Sequence, residues 1–270
     1  MRGNQSIFQT NALFLFAHQD DEFGVFQKIL DEQRLGHRIV CAYFTDGVLQ
    51  GQSSSRRNKE SLAVLSQLGV KCDDIYFTGN LLSIPDASLS EHTEKAITWL
   101  ADLLGDFDSV TSIYLPAWEG GHHDHDALHA IGVMVAISTG HLNIVKQFPL
   151  YNAHQCVAPF FRVLHPLNAN GELEVIKIPW SNRIQFLRYC LSYPSQFRTW
   201  IGLFPFVVLH YFFWGTQALQ SVSLERVRLR PHAGVLYYEN RSLYTWEKMQ
   251  CFTLACRNAI VKLGLTQNSN

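Results

Sequence analysis

The 270-residue chain is long enough for one large α/β domain, or for a domain with a subdomain folded onto it. Hydrophobic residues make up 47% and charged ones 17%, which allows a substantial core and excludes a chain disordered throughout. With 22 basic and 23 acidic residues the formal net charge is -1, so there is no electrostatic footprint for nucleic acid.

Met1 to Thr10 carry one Arg and no long apolar core, and are not expected to form a signal peptide. Ala12 to Ala17 is an apolar run too short for a helix and without polar gaps. It reads as a strand buried on both faces, the kind found in the middle of a parallel sheet. The run stops at His18-Gln19-Asp20-Asp21-Glu22, where such sheets bind their ligands, just past the carboxyl ends of the strands. Glu22 to Leu35 has helical apolar spacing and closes at Gly36, and Arg38 to Phe44 is a second buried strand ending at Thr45-Asp46-Gly47. A polar loop at 50–55 leads to a helix over Arg56 to Leu68, and Asp74 to Phe77 is a short third strand. Ser90 with Thr93-Glu94 behind it predicts a capped helix to Leu104. Ser112 to Pro116 is a fourth strand, which runs to Trp118-Glu119-Gly120-Gly121-His122-His123-Asp124-His125 before a helix over Asp126 to Ser138.

Four alternations of strand and helix predict βαβ units: a Rossmann-like three-layer α/β/α fold with a mostly parallel central sheet. Residues 1–140 form the core in this reading. Residues 141–270 lose the rhythm and are expected to fold onto the core within a single domain, adding strands and covering the pocket. Candidate strands there are Phe160 to Leu164 and Leu173 to Ile178, a helix is expected over Ile184 to Leu191, and candidate elements near Gly234 to Tyr238 and at Trp246 to Val261 complete the chain. Trp200 to Leu219 is apolar and aromatic, but Pro205 and His210 interrupt the roughly 20 apolar residues that a span needs. It is expected to be a buried helix or pocket cover, with peripheral contact of 200–214 with a bilayer or lipid-linked substrate as the alternative. The six cysteines are scattered without a Cys-x-x-Cys pair, and read as reduced thiols of a cytoplasmic protein.

Two His/Asp clusters at separate strand tips change the reading of each histidine from a lone hydrogen-bonding residue to one member of a shared metal site. Two imidazoles and a carboxylate around an open position are a catalytic zinc arrangement. Trp118 and Glu119 precede the second cluster, where a Trp face suits a sugar ring and a packed Trp is the alternative. Asp46 is a turn residue or a partner for a sugar hydroxyl. Arg226, Arg228 and Arg230 alternate as on one strand face, either solvated or binding a phosphate. His129, four residues beyond His125, faces the site or supports the structure.

Ala17-His18-Gln19-Asp20-Asp21-Glu22 resembles the Ala-His-Pro-Asp-Asp-Glu signature of the PIG-L family, the LmbE-like N-acetylglucosaminyl deacetylases. His122-His123-Asp124-His125 is similar to that family's His-Pro-Asp-His. Thr45-Asp46-Gly47, Arg57-Asn58-Lys59-Glu60 and Leu68-Gly69-Val70 resemble its Thr-x-Gly, Arg-x-x-Glu and Leu-Gly-Val, in order and at similar spacing, over roughly the first half of the chain. Tyr193-Pro194-Ser195-Gln196 resembles a His-x-Ser-Gln element with Tyr in place of His, and Gln19 and His123 replace prolines.

The resemblance implies a Zn²⁺-dependent amidase, one ion per chain with Fe²⁺ as an alternative, acting on an N-acetylated amino sugar, free or in a glycolipid. It implies His18, Asp21 and His125 as metal ligands and Asp20 as general base. His122 would polarise the carbonyl or protonate the leaving amine, and His123 is an alternative for facing the substrate. Arg57 would lie near the substrate or brace the site, and Glu22 and Asp124 would orient their neighbours; Asp46, Trp118 and Tyr193 are further candidates for substrate contact. The chemistry agrees, because a ligating carboxylate is a poor proton acceptor and the adjacent Asp20 supplies a free one. A phosphoester hydrolase with two metal ions and a non-catalytic glycan-binding relic are the competing classes.

Overall fold

The computed structural model describes residues 9–48 and 53–265. The expectation that the chain does not begin with a signal peptide, and part of the expected polar loop at 50–55, lie outside the described residues. The strands are β1 (Asn11–Phe16), β2 (Arg38–Tyr43), β3 (Ile75–Tyr76), β4 (Val110–Pro116), β5 (Val145–Phe148), β6 (Tyr151–Asn152), β7 (Arg162–Val163), β8 (Leu173–Lys177) and β9 (Thr216–Ser221). The helices of the first half are α1 (Phe26–Arg34), α2 (Ser55–Gln67), α3 (Thr78–Leu82), α4 (Thr93–Gly105) and α5 (His123–Ser138). Those of the second half are α6 (Trp180–Cys190), α7 (Phe197–Phe213), α8 (Leu224–Val227), α9 (Tyr237–Asn240) and α10 (Trp246–Lys262).

The main sheet runs β3-β2-β1-β4-β5-β9-β8. Its first five strands are parallel, while β9 pairs antiparallel with both β5 and β8. β1 is central, as its unbroken apolar run predicts, and its side chains alternate between two cores. Leu13 and Leu15 join Val40, Ala42, Ile113 and Leu115 under α4, α5 and α10. Phe14 and Phe16 join Cys41, Tyr43 and Tyr114 under α1, α2, α6 and α7. The result is the three-layer α/β/α arrangement expected. Removing one such ring, as in Phe16→Ala, costs about 3–5 kcal/mol in a packed core.

Several boundaries differ from the sequence reading, each for a local reason. The helix expected from Ser90 begins as a 3₁₀ turn over Leu89–His92, and Ser90 caps nothing. His122 rather than Asp126 opens α5, because its ring nitrogen accepts the Asp124 N–H and caps the helix. The alternating arginines are no strand, since Arg226 lies in α8 and is buried against Asn170 and backbone carbonyls. The candidate element at 234–238 contributes only the start of α9. β5 and β9 were not foreseen. β9 reads as polar, yet Gln220 is buried because its amide donates to the Leu167 and Gly171 carbonyls.

The segment expected as a buried helix or cover is α7, which runs through Pro205 rather than breaking there. Pro205 is exposed, and the carbonyl its missing N–H leaves without a donor belongs to Ile201, itself exposed, so no acceptor is orphaned in the core. Only one face of α7 is buried, through Trp200, Leu203, Val207, His210 and Tyr211. Among the described residues no helix is long and apolar enough to cross a membrane.

Candidate metal centre

β1 lies between β2 and β4, so the connections leaving its two sides diverge and open a crevice at the carboxyl ends of β1 and β4. Beyond β1 the chain turns sharply. Asp20 adopts a left-handed conformation with φ 108°, and a short 3₁₀ helix over Asp21–Gly24 follows. Asp21 Oδ2 accepts the N–H groups of Ala17 at 3.0 Å and His18 at 2.8 Å, which fixes the carboxylate and leaves Oδ1 facing the crevice.

From the other side, the first turn of α5 brings in His125. Its Nε2 lies 3.0 Å from Asp21 Oδ1 and 3.2 Å from His18 Nδ1. The second nitrogen of His18, Nε2, faces two carboxylates, Asp86 Oδ1 at 3.0 Å and Asp124 Oδ2 at 3.2 Å. Two acceptors at Nε2 place the ring proton there, so the Nδ1 lone pair is turned toward Asp21 and His125. Ligating atoms of His18, Asp21 and His125 all lie within 4.8 Å of one another, as do those of His18, Asp86, His122 and Asp124. The second set is otherwise engaged: Asp124 accepts the N–H groups of Leu89 at 3.0 Å and Ala87 at 2.7 Å.

The electrostatics separate the two aspartates of the turn. Burial alone would raise the pKa of Asp21, but His125 and His18 hold it well below the usual carboxylate range. Burial pushes Asp20 up to about 7, with Arg57 opposing and Asp21 and Glu22 reinforcing the shift. Asp20 takes Trp200 Nε1–H at 3.1 Å on one oxygen and lies 3.4 Å from the Arg57 guanidinium on the other. Burial, and then His18, keep His122 well below the ordinary histidine value. Its Nδ1 accepts the Asp124 N–H, so the neutral ring carries its proton on Nε2.

A cleft of about 110 Å³ opens over these groups, lined by His18, Asp20, Asp21, Arg57, His122 and His125. Phe23, Asp86, Tyr151, Gln196, Thr199 and Leu203 complete its wall, and sequence reasoning had singled out none of them for this role. The one readable signal was Gln196, inside Tyr193-Pro194-Ser195-Gln196. That segment is held in place when the Ser195 backbone N–H and hydroxyl donate to Glu60 on α2. Arg57, one turn earlier on the same face, bonds the Gln19 carbonyl at 2.7 Å and the Gly47 carbonyl. Gly47 has φ +69°, and a side chain there would strike Gln19 and Arg57. The Thr-x-Gly and Arg-x-x-Glu spacings are thus the two halves of one brace under the β1 turn.

Other expected substrate neighbours lie elsewhere. Trp118 is fully buried, with its indole N–H donated to the Leu229 carbonyl, and it does not reach the cleft. His123 turns away from the cleft to the Ala87 carbonyl and stacks on Tyr244, so His122 is the ring that faces the opening. Tyr193 is buried and donates to Glu22, which also takes the Tyr43 hydroxyl. Asp46 accepts the N–H groups of Val48 and Asp86 and so shapes the loop carrying Asp86. Glu119 is buried and accepts the N–H groups of Leu150 and Tyr151. His129 bonds the Pro116 carbonyl at 2.8 Å and plays a structural part.

Fold and crevice together define a Rossmann-like α/β protein with a His/Asp cluster of metal-ligand geometry at the switch point of its sheet. Residues 13–136 match the family described as PIG-L, GlcNAc-PI de-N-acetylase. No curated protein sequence matches the chain. Among solved structures it is similar to the zinc-inhibited form of teicoplanin deacetylase Orf2, at 15% identity and TM-score 0.56, over 77% of this chain and 97% of that one. It is similar to the A40926 pseudoaglycone deacetylase Dbv21 at 16% identity and TM-score 0.58, over 84% of this chain and all (100%) of the other. The N,N'-diacetylchitobiose deacetylase from Pyrococcus horikoshii follows at 15% identity and TM-score 0.56, over 84% and 88% of the two chains. At these identities the likeness is one of fold.

Proposed function

We propose that this chain is a zinc-dependent deacetylase that hydrolyses the acetamide of an N-acetyl amino sugar of the GlcNAc type. The observation that carries the reading is the convergence of His18, Asp21 and His125 within 4.8 Å, with the Asp20 carboxylate beside them and outside the set. Two imidazole nitrogens and one carboxylate oxygen, with a cleft at the open position, suit zinc. When bound, the ion would lower the pKa of a coordinated water to about 7 and offset charge on the amide oxygen.

The chain's own groups do the rest. Asp20, with a pKa near 7, takes the proton of the attacking water and returns it to the departing amine. Arg57 and Trp200 hold its two oxygens so that the carboxylate does not swing onto the ion. His122, neutral with its proton on Nε2, donates to the amide carbonyl oxygen. His18 is oriented by Asp124 and Asp86, as ligating imidazoles generally are by carboxylates. Arg57 and Asp86, both on the cleft wall, are the partners offered to sugar hydroxyls.

Support for the substrate class comes from the family description and from the diacetylchitobiose deacetylase among the similar structures. The two-ion phosphoester alternative has less behind it, since both oxygens of Asp124 already accept backbone N–H groups. The test is acetate release from a panel of N-acetylated sugars, sugar nucleotides and glycolipids, with and without chelator and after zinc is restored. We expect one zinc per chain and chelator-sensitive release from an N-acetyl amino sugar. Release that survives complete metal removal, or none from any member of the panel with zinc loaded, would reject the reading.

A further inference from the structure

Helix α7 keeps different company on its two sides. Thr199 and Leu203 line the cleft, and Trp200 reaches Asp20. On the opposite side Phe197, Ile201, Leu209, Phe212 and Phe213 recur at three- and four-residue steps with Pro205 between them, which is one stripe of a helix. With Trp214 these apolar side chains are 48% to 66% exposed. Helix α6 and the residue that ends it carry a second stripe of exposed apolar side chains, Trp180, Ile184 and Leu191. The stripes meet where the Trp180 and Phe212 rings stand 6.2 Å apart.

Charge identifies the occupant. The whole chain is balanced, but from Lys177 to Leu224 there is no Asp or Glu, while Lys177, Arg183, Arg188 and Arg198 all fall in that stretch. Lys177, Arg188 and Arg198 are exposed, and Arg183 lies over the Trp180 ring at 4.2 Å. A second copy meeting this face across a two-fold axis would bring the like-charged rims together. An anionic bilayer answers both features: headgroups for the basic residues and an interfacial depth for Trp and Phe.

We propose that the exposed α6–α7 face docks on an anionic bilayer surface. The cleft opens at the amino-terminal turn of α7, and Phe212 lies about 20 Å further along the helix. Docking therefore holds the cleft mouth within reach of a headgroup-borne substrate. The proposal does not depend on the chemistry assigned to the cleft, and its test reads no chemistry.

The purified full chain is sedimented with phosphatidylcholine vesicles, and with vesicles in which phosphatidylserine replaces part of that lipid, at low and high salt. The double variant Phe212→Ser/Phe213→Ser, the pair Arg188→Glu/Arg198→Glu, and Leu254→Ser on the exposed side of α10 are run beside it, each checked for an unchanged circular dichroism spectrum. The expected result is uptake on the anionic vesicles that falls with salt, drops at least about tenfold in both double variants, and is unchanged in Leu254→Ser. Failure of the wild-type chain to bind either vesicle would overturn the proposal, as would wild-type uptake by Phe212→Ser/Phe213→Ser. So would a dimer in solution that this variant dissociates, without vesicle binding, since a second copy would then own the face.

Discussion

Adjacent in the chain, Asp20 and Asp21 meet opposite surroundings: one looks to an indole and a guanidinium, the other to two imidazoles and two backbone N–H groups. Only Asp21 has a ligand's geometry, so substitution should separate metal loading from turnover. Asp20→Asn is expected to keep its zinc, measured by metal analysis, and to lose about 10²–10⁴ of its acetate-release rate. Unchanged turnover in that variant would remove Asp20 as the base. At this scale the sequence was legible where a residue's chemistry coincided with a strand tip: His18, Asp20, Asp21 and His125 meet as the two motifs suggested. It was illegible for Asp86 and Tyr151, because nothing in a local pattern tells which loop carboxylate or ring closes a cleft from the far side. Trp118 misled for the same reason, an aromatic next to a motif being as useful to the core as to a sugar.

Among the elements, α5 combines site and scaffold. Its first turn carries His122 and His125, and one turn further His129 is buried and donates to the Pro116 carbonyl at the end of β4. Burial lowers the His129 pKa from 6.5 to about 4, so the folded chain refuses a proton that the unfolded chain accepts. This contribution to stability is complete above pH 6.5 and is lost as pH falls toward 4, about 3 kcal/mol in all if His129 acted alone. Buried His210 and His232 are shifted the same way. Urea midpoints measured from pH 7 down to 4.5 should therefore fall for the wild type and fall less for His129→Asn, which keeps a donor near the Nδ1 position. Equal slopes would assign the acid sensitivity elsewhere. Helices with clear apolar periodicity were readable to within a few residues, while β9 was not. Its glutamines look like surface residues until the loops whose carbonyls they satisfy are in place.

For the molecule as a whole, the candidate ligands join segments from both ends of the first half, His18 and Asp21 with His125, so an ion bound there would tie β1 to α5. An ion held at about a hundred times its Kd adds about 2.7 kcal/mol to stability. Chelation should then lower the melting temperature by several degrees, and zinc should restore it. A melting curve indifferent to chelator would mean that the ligands do not share an ion in solution. The parallel half of the sheet was visible in the alternation of apolar runs and helices. In the antiparallel half β8 was read as a strand but β5 and β9 were not, because the long-range pairing that joins them leaves no local trace.

That later addition has a consequence for handling the protein. β8 is the last strand in the sheet order, hydrogen-bonded to β9 alone, with Leu173 and Val175 exposed beside Glu174 and Lys177. Such a margin can recruit the same strand of another molecule, and its two charges act as the gatekeepers that discourage this. Replacing both with valine should leave the fold intact yet turn concentrated solutions turbid and thioflavin-positive, so the storage life of this chain is guarded far from its chemistry.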